Sequence, residues 1–141
     1  MTSRLNPYIS YPGTARQAME FYRGVFGGDL TMSTFGEFGA AGGPDGPDPD
    51  GIMHAQLETP SGYTIMASDT PPGMNVTAGT NISVSLSGDD GDALRGHWEK
   101  LSDGGTVSVP LEKQMWGDEF GVCVDRFGIG WMVNIAAPTE G

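Results

Sequence analysis

Two glycine pairs, Gly27-Gly28 and Gly104-Gly105, stand 77 residues apart, and each closes an amphipathic segment that follows a strand-like run. A recurrence on this scale means that one small unit is built twice. In the first half, Leu5 to Tyr11 reads as a strand and Pro12-Gly13 breaks it. Thr14 stands where a helix N-cap belongs, with Gln17 three residues on as its capping-box partner. Ala15, Ala18, Met19, Tyr22 and Phe26 fall at helical spacing and predict the buried face. Gly27 suits the left-handed position that ends a helix. Asp29 to Phe35 is strand-like, and Gly36 to Gly51 is a Gly/Pro/Asp loop. Ile52 to Glu58 and Tyr63 to Ser68 form a hairpin around Thr59-Pro60-Ser61-Gly62.

The second half repeats the order. After a connector from Asp69 to Thr80, Asn81 to Ser87 alternates strictly. Ile82, Val84 and Leu86 face one way, and Asn81, Ser83 and Ser85 face a polar surface or cavity. Asp89 or Asp90 caps a second helix whose stripe is Leu94, His97 or Trp98, and Leu101. Thr106 to Pro110 is strand-like, and Leu111 to Met115 leads into a closing hairpin. Its strands are Phe120 to Val124 and Ile129 to Ile135, joined by the turn Asp125-Arg126-Phe127-Gly128. Trp131, Val133 and Ile135 share one face, and Met132 and Asn134 the other. With Trp116 and Phe120 nearby, these rings should fill a core or line a cavity. Tyr8 and Ile82 are expected to start equivalent strands, and Phe21 and Trp98 to lie in equivalent helices. The turn glycines Gly62 and Gly128 are only 66 apart, because the first half carries the longer loop.

The reading is therefore α+β: one domain, residues 1–141, made of two βαβββ modules at about 4–69 and 80–136. Each is too small to bury its own sheet, so the two are expected to form an open, mixed β-sheet cleft. A net charge of -11 with only 7 scattered basic residues argues against nucleic acid or an anionic membrane as partner. No apolar run approaches ~18 residues and the N-terminus is polar, so a cytoplasmic protein is expected. Cys123 is the single cysteine and lies mid-strand, which fits a reducing compartment and an inert, buried thiol.

The chain resembles the vicinal-oxygen-chelate superfamily, which includes glyoxalase I, bleomycin-resistance proteins and extradiol dioxygenases, and within it the PhnB-like branch. The matching stretches are Asn6 to Tyr11, Ala18 to Tyr22 with Phe26-Gly27-Gly28, Phe35-Gly36-Glu37, and His54 to Leu57. Ile65 to Asp69, and Trp116 with Phe120 to Asn134, complete the set. Some members of this branch are named as 3-demethylubiquinone 3-methyltransferases, but no glycine-rich strand-to-helix turn for S-adenosylmethionine is present. The resemblance implies a glyoxalase/bleomycin-resistance-like fold and a homodimer. It also implies a divalent metal held by His, Glu or Gln from the first strands and closing hairpins. Those positions count to Pro7, Asn81, Met66 and Met132, with Ser68 and Asp69 the only oxygen donors close by. Thioethers and a proline do not hold a hard or borderline cation, so neither metal nor another cofactor is expected.

His54 is the best candidate for chemistry, either as a general base facing the cavity or as a core histidine satisfied by a backbone carbonyl. His97 reads as an ordinary helix residue. Met66 and Met132 at former ligand positions would make the cleft apolar. With His54, Ser68, Asn81, Ser83, Trp116, Phe120 and Asn134 they form the expected ligand-binding set. The Gly43 to Gly51 run of aspartates and prolines lacks EF-hand spacing and reads as a surface loop near the pocket mouth. Two functions remain open. One is metal-free binding of a small organic molecule, with an acidic surface favouring a cationic or amphipathic one. The other is a metal-assisted or His54-assisted lyase, isomerase or dioxygenase, for which His54 and Asp69 are the support. A structural dimer with a vestigial pocket is a third.

Overall fold

The computed structural model describes residues 3–38, 49–71 and 77–137. The chain divides into two compact units, Met1–Thr77 and Ala78–Gly141. The first contains β1 (Tyr8–Tyr11), α1 (Ala15–Phe26), β2 (Asp29–Thr34), β3 (Ile52–Glu58) and β4 (Thr64–Asp69), with a 3-10 turn at Gly36–Phe38. Its sheet runs β1-β4-β3-β2, with β1 parallel to β4 and the other pairs antiparallel. The second contains β5 (Val84–Gly88), α2 (Gly91–Ser102), β6 (Thr106–Lys113), β7 (Glu119–Val124) and β8 (Gly130–Ile135). Its sheet runs β5-β8-β7-β6, with β5 parallel to β8. The fold is thus α+β, with one mixed four-stranded sheet and one helix in each unit.

Each helix packs on one face of its own sheet. Ala15, Ala18, Met19, Tyr22, Val25 and Phe26 are buried on α1, and Ala55, Leu57, Ile65 and Ala67 are buried beneath them. In the second unit Leu94, Trp98 and Leu101 of α2 are buried, as are Leu86, Cys123, Trp131, Val133 and Ile135 of the sheet. The helix face of β7 carries Gly121, where a Cβ would lie 2.8 Å from Trp98 Cη2. Both stripes follow the helical period of the sequence, with Trp98 rather than His97 as the buried member. Burial of each large side chain contributes about 1.5–3 kcal/mol.

Several boundaries and caps differ from expectation. β1 begins at Tyr8 rather than Leu5, and β6 runs on to Lys113. Asn81 to Ser83 lie outside β5, and Ile82 is 81% exposed instead of facing the core. The cause is the length of the neighbour: β8 starts at Gly130 and the ladder begins at Val84 opposite Trp131, so Asn81 and Ile82 have no strand to pair with. Thr14 makes no side-chain cap bond. The start of α1 is held instead from the end of β4, where Asp69 Oδ1 accepts from Ala15 N at 2.8 Å and Oδ2 accepts from Ile52 N at 2.9 Å. Asp90 caps α2 by accepting from Ala93 N, as expected. The expected surface loop at Gly43 to Gly51 lies outside the described residues from Gly43 to Asp48.

The repeated glycine pair has a direct structural reason. Gly27 and Gly104 take φ of 74° and 77°, positive values that favour glycine, where the chain leaves each helix region. A Cβ on Gly28 would sit 2.1 Å from the Glu58 carbonyl oxygen, and one on Gly105 would sit 2.1 Å from that of Val124. Gly96, inside α2, has nothing within 4 Å of an added Cβ. Gly105→Ala is therefore expected to lower stability in urea unfolding by about 1–3 kcal/mol through overpacking. Gly96→Ala is expected to raise it by up to about 1 kcal/mol through helix propensity. Equal effects of the two would contradict the close-approach account.

Candidate functional site

Strand alternation gives each sheet a second face, opposite its helix. On the first sheet that face is polar. Ser10 pairs with Ser68, Ser33 pairs with His54, and the Ala55–Ala67 pairing brings Ser68 beside His54. One row along, Tyr8, Met66, Gln56 and Thr31 follow one another across four strands. The Tyr8 and His54 rings are 6.0 Å apart between centroids and tilted by 35°. His54 is half-buried, and no described residue hydrogen-bonds its imidazole. The expected candidates His54, Met66 and Ser68 therefore come together. Tyr8, Ser10, Ser33 and Gln56 join them and were missed as site residues. The alternation of Tyr8 and Ser10 with Ile9 and Tyr11 carried that signal.

On the second sheet the corresponding face is more apolar. Ser85, Met132, Val122 and Val109 form one row, and Ser87, Asn134, Phe120 and Glu112 the next. Trp116, in the turn before β7, adds its ring 6.2 Å from that of Phe120. Met132, Asn134, Phe120 and Trp116 are thus gathered as expected. Asn81 and Ser83 precede the strand and are exposed, so Ser85 and Ser87 supply the hydroxyls of this face instead. Asn134 Nδ2 donates to Asp118 Oδ2 at 3.1 Å, and Ala137 N donates to Asp118 Oδ1 at 2.8 Å. These two bonds, that of Asn134 first, hold the Asp118 carboxyl below its ordinary 3.8.

In the ladders Met66 lies opposite Tyr8, one residue past Pro7, and Met132 lies opposite Ser85, four residues past Asn81. A phenol, a hydroxyl and two thioethers form a poor donor set for a divalent cation. Among the described residues no three His, Cys, Asp or Glu side chains group in a way that could hold a metal ion. Asp69 gives no help to His54: it belongs to the helix face, with both oxygens engaged by Ala15 N and Ile52 N. The other buried carboxylate, Asp125, is equally engaged. It accepts from Phe127 N, Ile129 N and Trp131 Nε1 and so fixes the closing turn. A depression of about 1150 Å³ at the start of α2 is lined by charges that pair with one another, Arg95 with Asp92 and Glu119. Burial, then the Asp125 charge, pushes the Cys123 thiol up to about 11.

Residues 3–134 match the family model described as 3-demethylubiquinone-9 3-methyltransferase. The crystal structure of protein PA1353 from Pseudomonas aeruginosa is 34% identical, covering 97% of this chain and 100% of that one, with a TM-score of 0.83. The PhnB protein of Bacillus cereus, described as a putative 3-demethylubiquinone-9 3-methyltransferase, is 22% identical over 95% of this chain and 100% of its own, with a TM-score of 0.75. A glyoxylase/bleomycin resistance protein/dioxygenase domain from Frankia is 12% identical over 96% and 98%, with a TM-score of 0.61, a likeness of fold.

Two measurements check the site chemistry. Asp118 followed by carboxyl NMR is expected to titrate below 3.8, and Asn134→Ala should move it up toward that value. The sign follows from the depressed value: the stabilisation is present above the ordinary pKa and is lost as pH falls through the folded one. Cys123 is expected to resist thiol reagents at about pH 8 while folded and to react fully once unfolded.

Proposed function

The chain belongs to the 3-demethylubiquinone-9 3-methyltransferase family, the PhnB-like branch of the vicinal-oxygen-chelate superfamily, and from that membership we propose that it binds a small organic molecule without the superfamily's metal. The observation that carries this reading is the composition of the two helix-free sheet faces. One gathers hydroxyls, an amide and an imidazole around Tyr8 and Met66. The other gathers Phe120, Met132 and Val122 with Asn134 and two serines. The second face by itself, a mostly apolar lining with a few polar anchors, has the make-up that small-molecule sites use. Methyl transfer, which the family's name describes, would need a place for S-adenosylmethionine. Among the described residues neither unit is a doubly wound parallel sheet with a glycine-rich turn at a helix start, the Rossmann-type arrangement for it, and this favours binding over methyl transfer.

The second reading is catalysis by His54. It is favoured by the half-buried imidazole, set between Ser33 and Ser68 and free of a described hydrogen-bond partner. An imidazole so placed is within reach to act as a general base toward a bound hydroxyl or carbon acid. Asp69 cannot orient it, so any catalytic role belongs to His54 and its hydroxyl neighbours.

The expected result is a melting temperature raised by organic ligands from a neutral and cationic panel, since binding to the native state alone raises it. The rise should be the same with a chelator present, and His54→Ala should weaken it while the free protein still folds. A stoichiometric metal in protein purified without a His-tag, or a large melt increase with Zn²⁺, Ni²⁺, Mn²⁺ or Fe²⁺, would overturn the metal-free reading. Turnover of a bound ligand, lost in His54→Ala, would favour the enzyme.

A further inference from the structure

We propose that the helix-free face of the second sheet takes an organic cation, an ammonium or amidinium group carried on an apolar body. The proposal rests on the small-molecule reading above and adds the charge class of the ligand. The Trp116 and Phe120 rings are tilted by 58° to one another, and Trp116 is 60% exposed, so an aromatic surface is open to a ligand. Ring faces attract cations, most strongly those that are weakly hydrated. Glu112 lies directly opposite Phe120 in the ladder, and opposite residues point to the same face. Among the described residues no ion pair engages its carboxylate; its backbone oxygen accepts from Gln114 Nε2. On the same row Asn134 is tied to Asp118, whose carboxyl stays ionised well below neutral pH. Met132, Val122 and Val109 extend the apolar surface beside this charge.

The placement of the basic residues makes the argument specific. All 7 of them occupy other positions. Arg16 and Arg23 are on α1, and Arg95 and Lys100 are on α2. Arg4 precedes β1 and bridges Glu58, and Arg126 in the closing turn bridges Asp103. Lys113 pairs across the ladder with Glu119, one position from Glu112 and so on the opposite face. A carboxylate or phosphate ligand would find no cationic partner here and would meet Glu112. A neutral ligand would gain the apolar contact but leave that charge unused. A cation uses the rings and the carboxylate together.

Three probes test this by NMR titration: benzyltrimethylammonium, its uncharged carbon isostere neopentylbenzene, and benzoate as a smaller aromatic anion. The expected result is saturable binding of benzyltrimethylammonium, with shifts at Trp116, Phe120 and the Asn134 amide, weakened by salt. Trp116→Ala and Glu112→Gln should each weaken it by about 3–30-fold. Both side chains are exposed, so the variants should fold, and an unchanged melt confirms it. Equal binding of the neutral isostere, tighter binding of benzoate, or an unaltered affinity in Glu112→Gln would overturn the cationic class and leave small-molecule binding standing. Absence of saturation by benzyltrimethylammonium also overturns it. The binding reading falls only if the wider ligand panel fails as well.

Discussion

The close approach of backbone to backbone at Gly28 and Gly105 sets the architecture of both units. After each helix the chain must turn back and lay an edge strand beside the end of the middle strand. It does so with no room for a side chain, 2.1 Å from a carbonyl oxygen to the place where a Cβ would be. The preceding glycine supplies the positive φ. Once that junction is made, the edge strand starts beside its neighbour, the helix is held over the sheet, and the parallel first strand completes the order. The hairpin turns recur as closely, Gly62 and Gly128 taking φ of 88° and 89°, but an added Cβ there meets nothing, so the glycine pair marks the tighter constraint of the repeat.

The same constraint explains what the sequence could and could not say about the site. The 77-residue interval between glycine pairs holds in the structure for the first strands too: Tyr8 opposite Met66 corresponds to Ser85 opposite Met132. Ile82 is 74 residues beyond Tyr8, three short of that interval. Alternation continues through Asn81, Ile82 and Ser83 because those residue types permit a strand. A strand needs a partner, and β8 is too short to give one. Local pattern therefore reads Asn81 and Ser83 as part of the strand, where the ladder holds Ser85 and Ser87. The helix stripes, both hairpins and the buried Cys123 depended on local periodicity only, and they were readable. The N-terminal cap of α1 was not, because Asp69 reaches it from 54 positions away in the chain.

Asp69 and Asp125 also show why charge in sequence is a weak guide to chemistry. Both carboxylates are buried, and both are spent on backbone N–H groups, one at a helix start and one in a closing turn. An unpaired buried N–H costs about 1–3 kcal/mol, so these carboxylates stabilise the fold by satisfying several at once. That role takes them away from the faces where a ligand would lie. His54 differs in both respects: it is on the helix-free face, and its ring is met by Tyr8 rather than by a carboxylate.

Two sheets with one topology thus carry two different surfaces. The first offers imidazole, amide and hydroxyl groups; the second offers rings, thioether and branched carbon with one free carboxylate beside them. Topology does not require this asymmetry, since equivalent rungs could bear equivalent residues. It arises at matched positions: Gln56 and Val122 both stand opposite the methionine of the neighbouring strand. The shared methionine keeps each centre apolar, while the residue next to it decides whether the face hydrogen-bonds or packs. Charge separates the two faces as well: on the first, Arg4 bridges Glu58, whose carboxylate also accepts from Gln56 Nε2, whereas on the second Glu112 stands with no described Lys or Arg beside it. Acidity spread only for solubility would not by itself distinguish the two faces in this way.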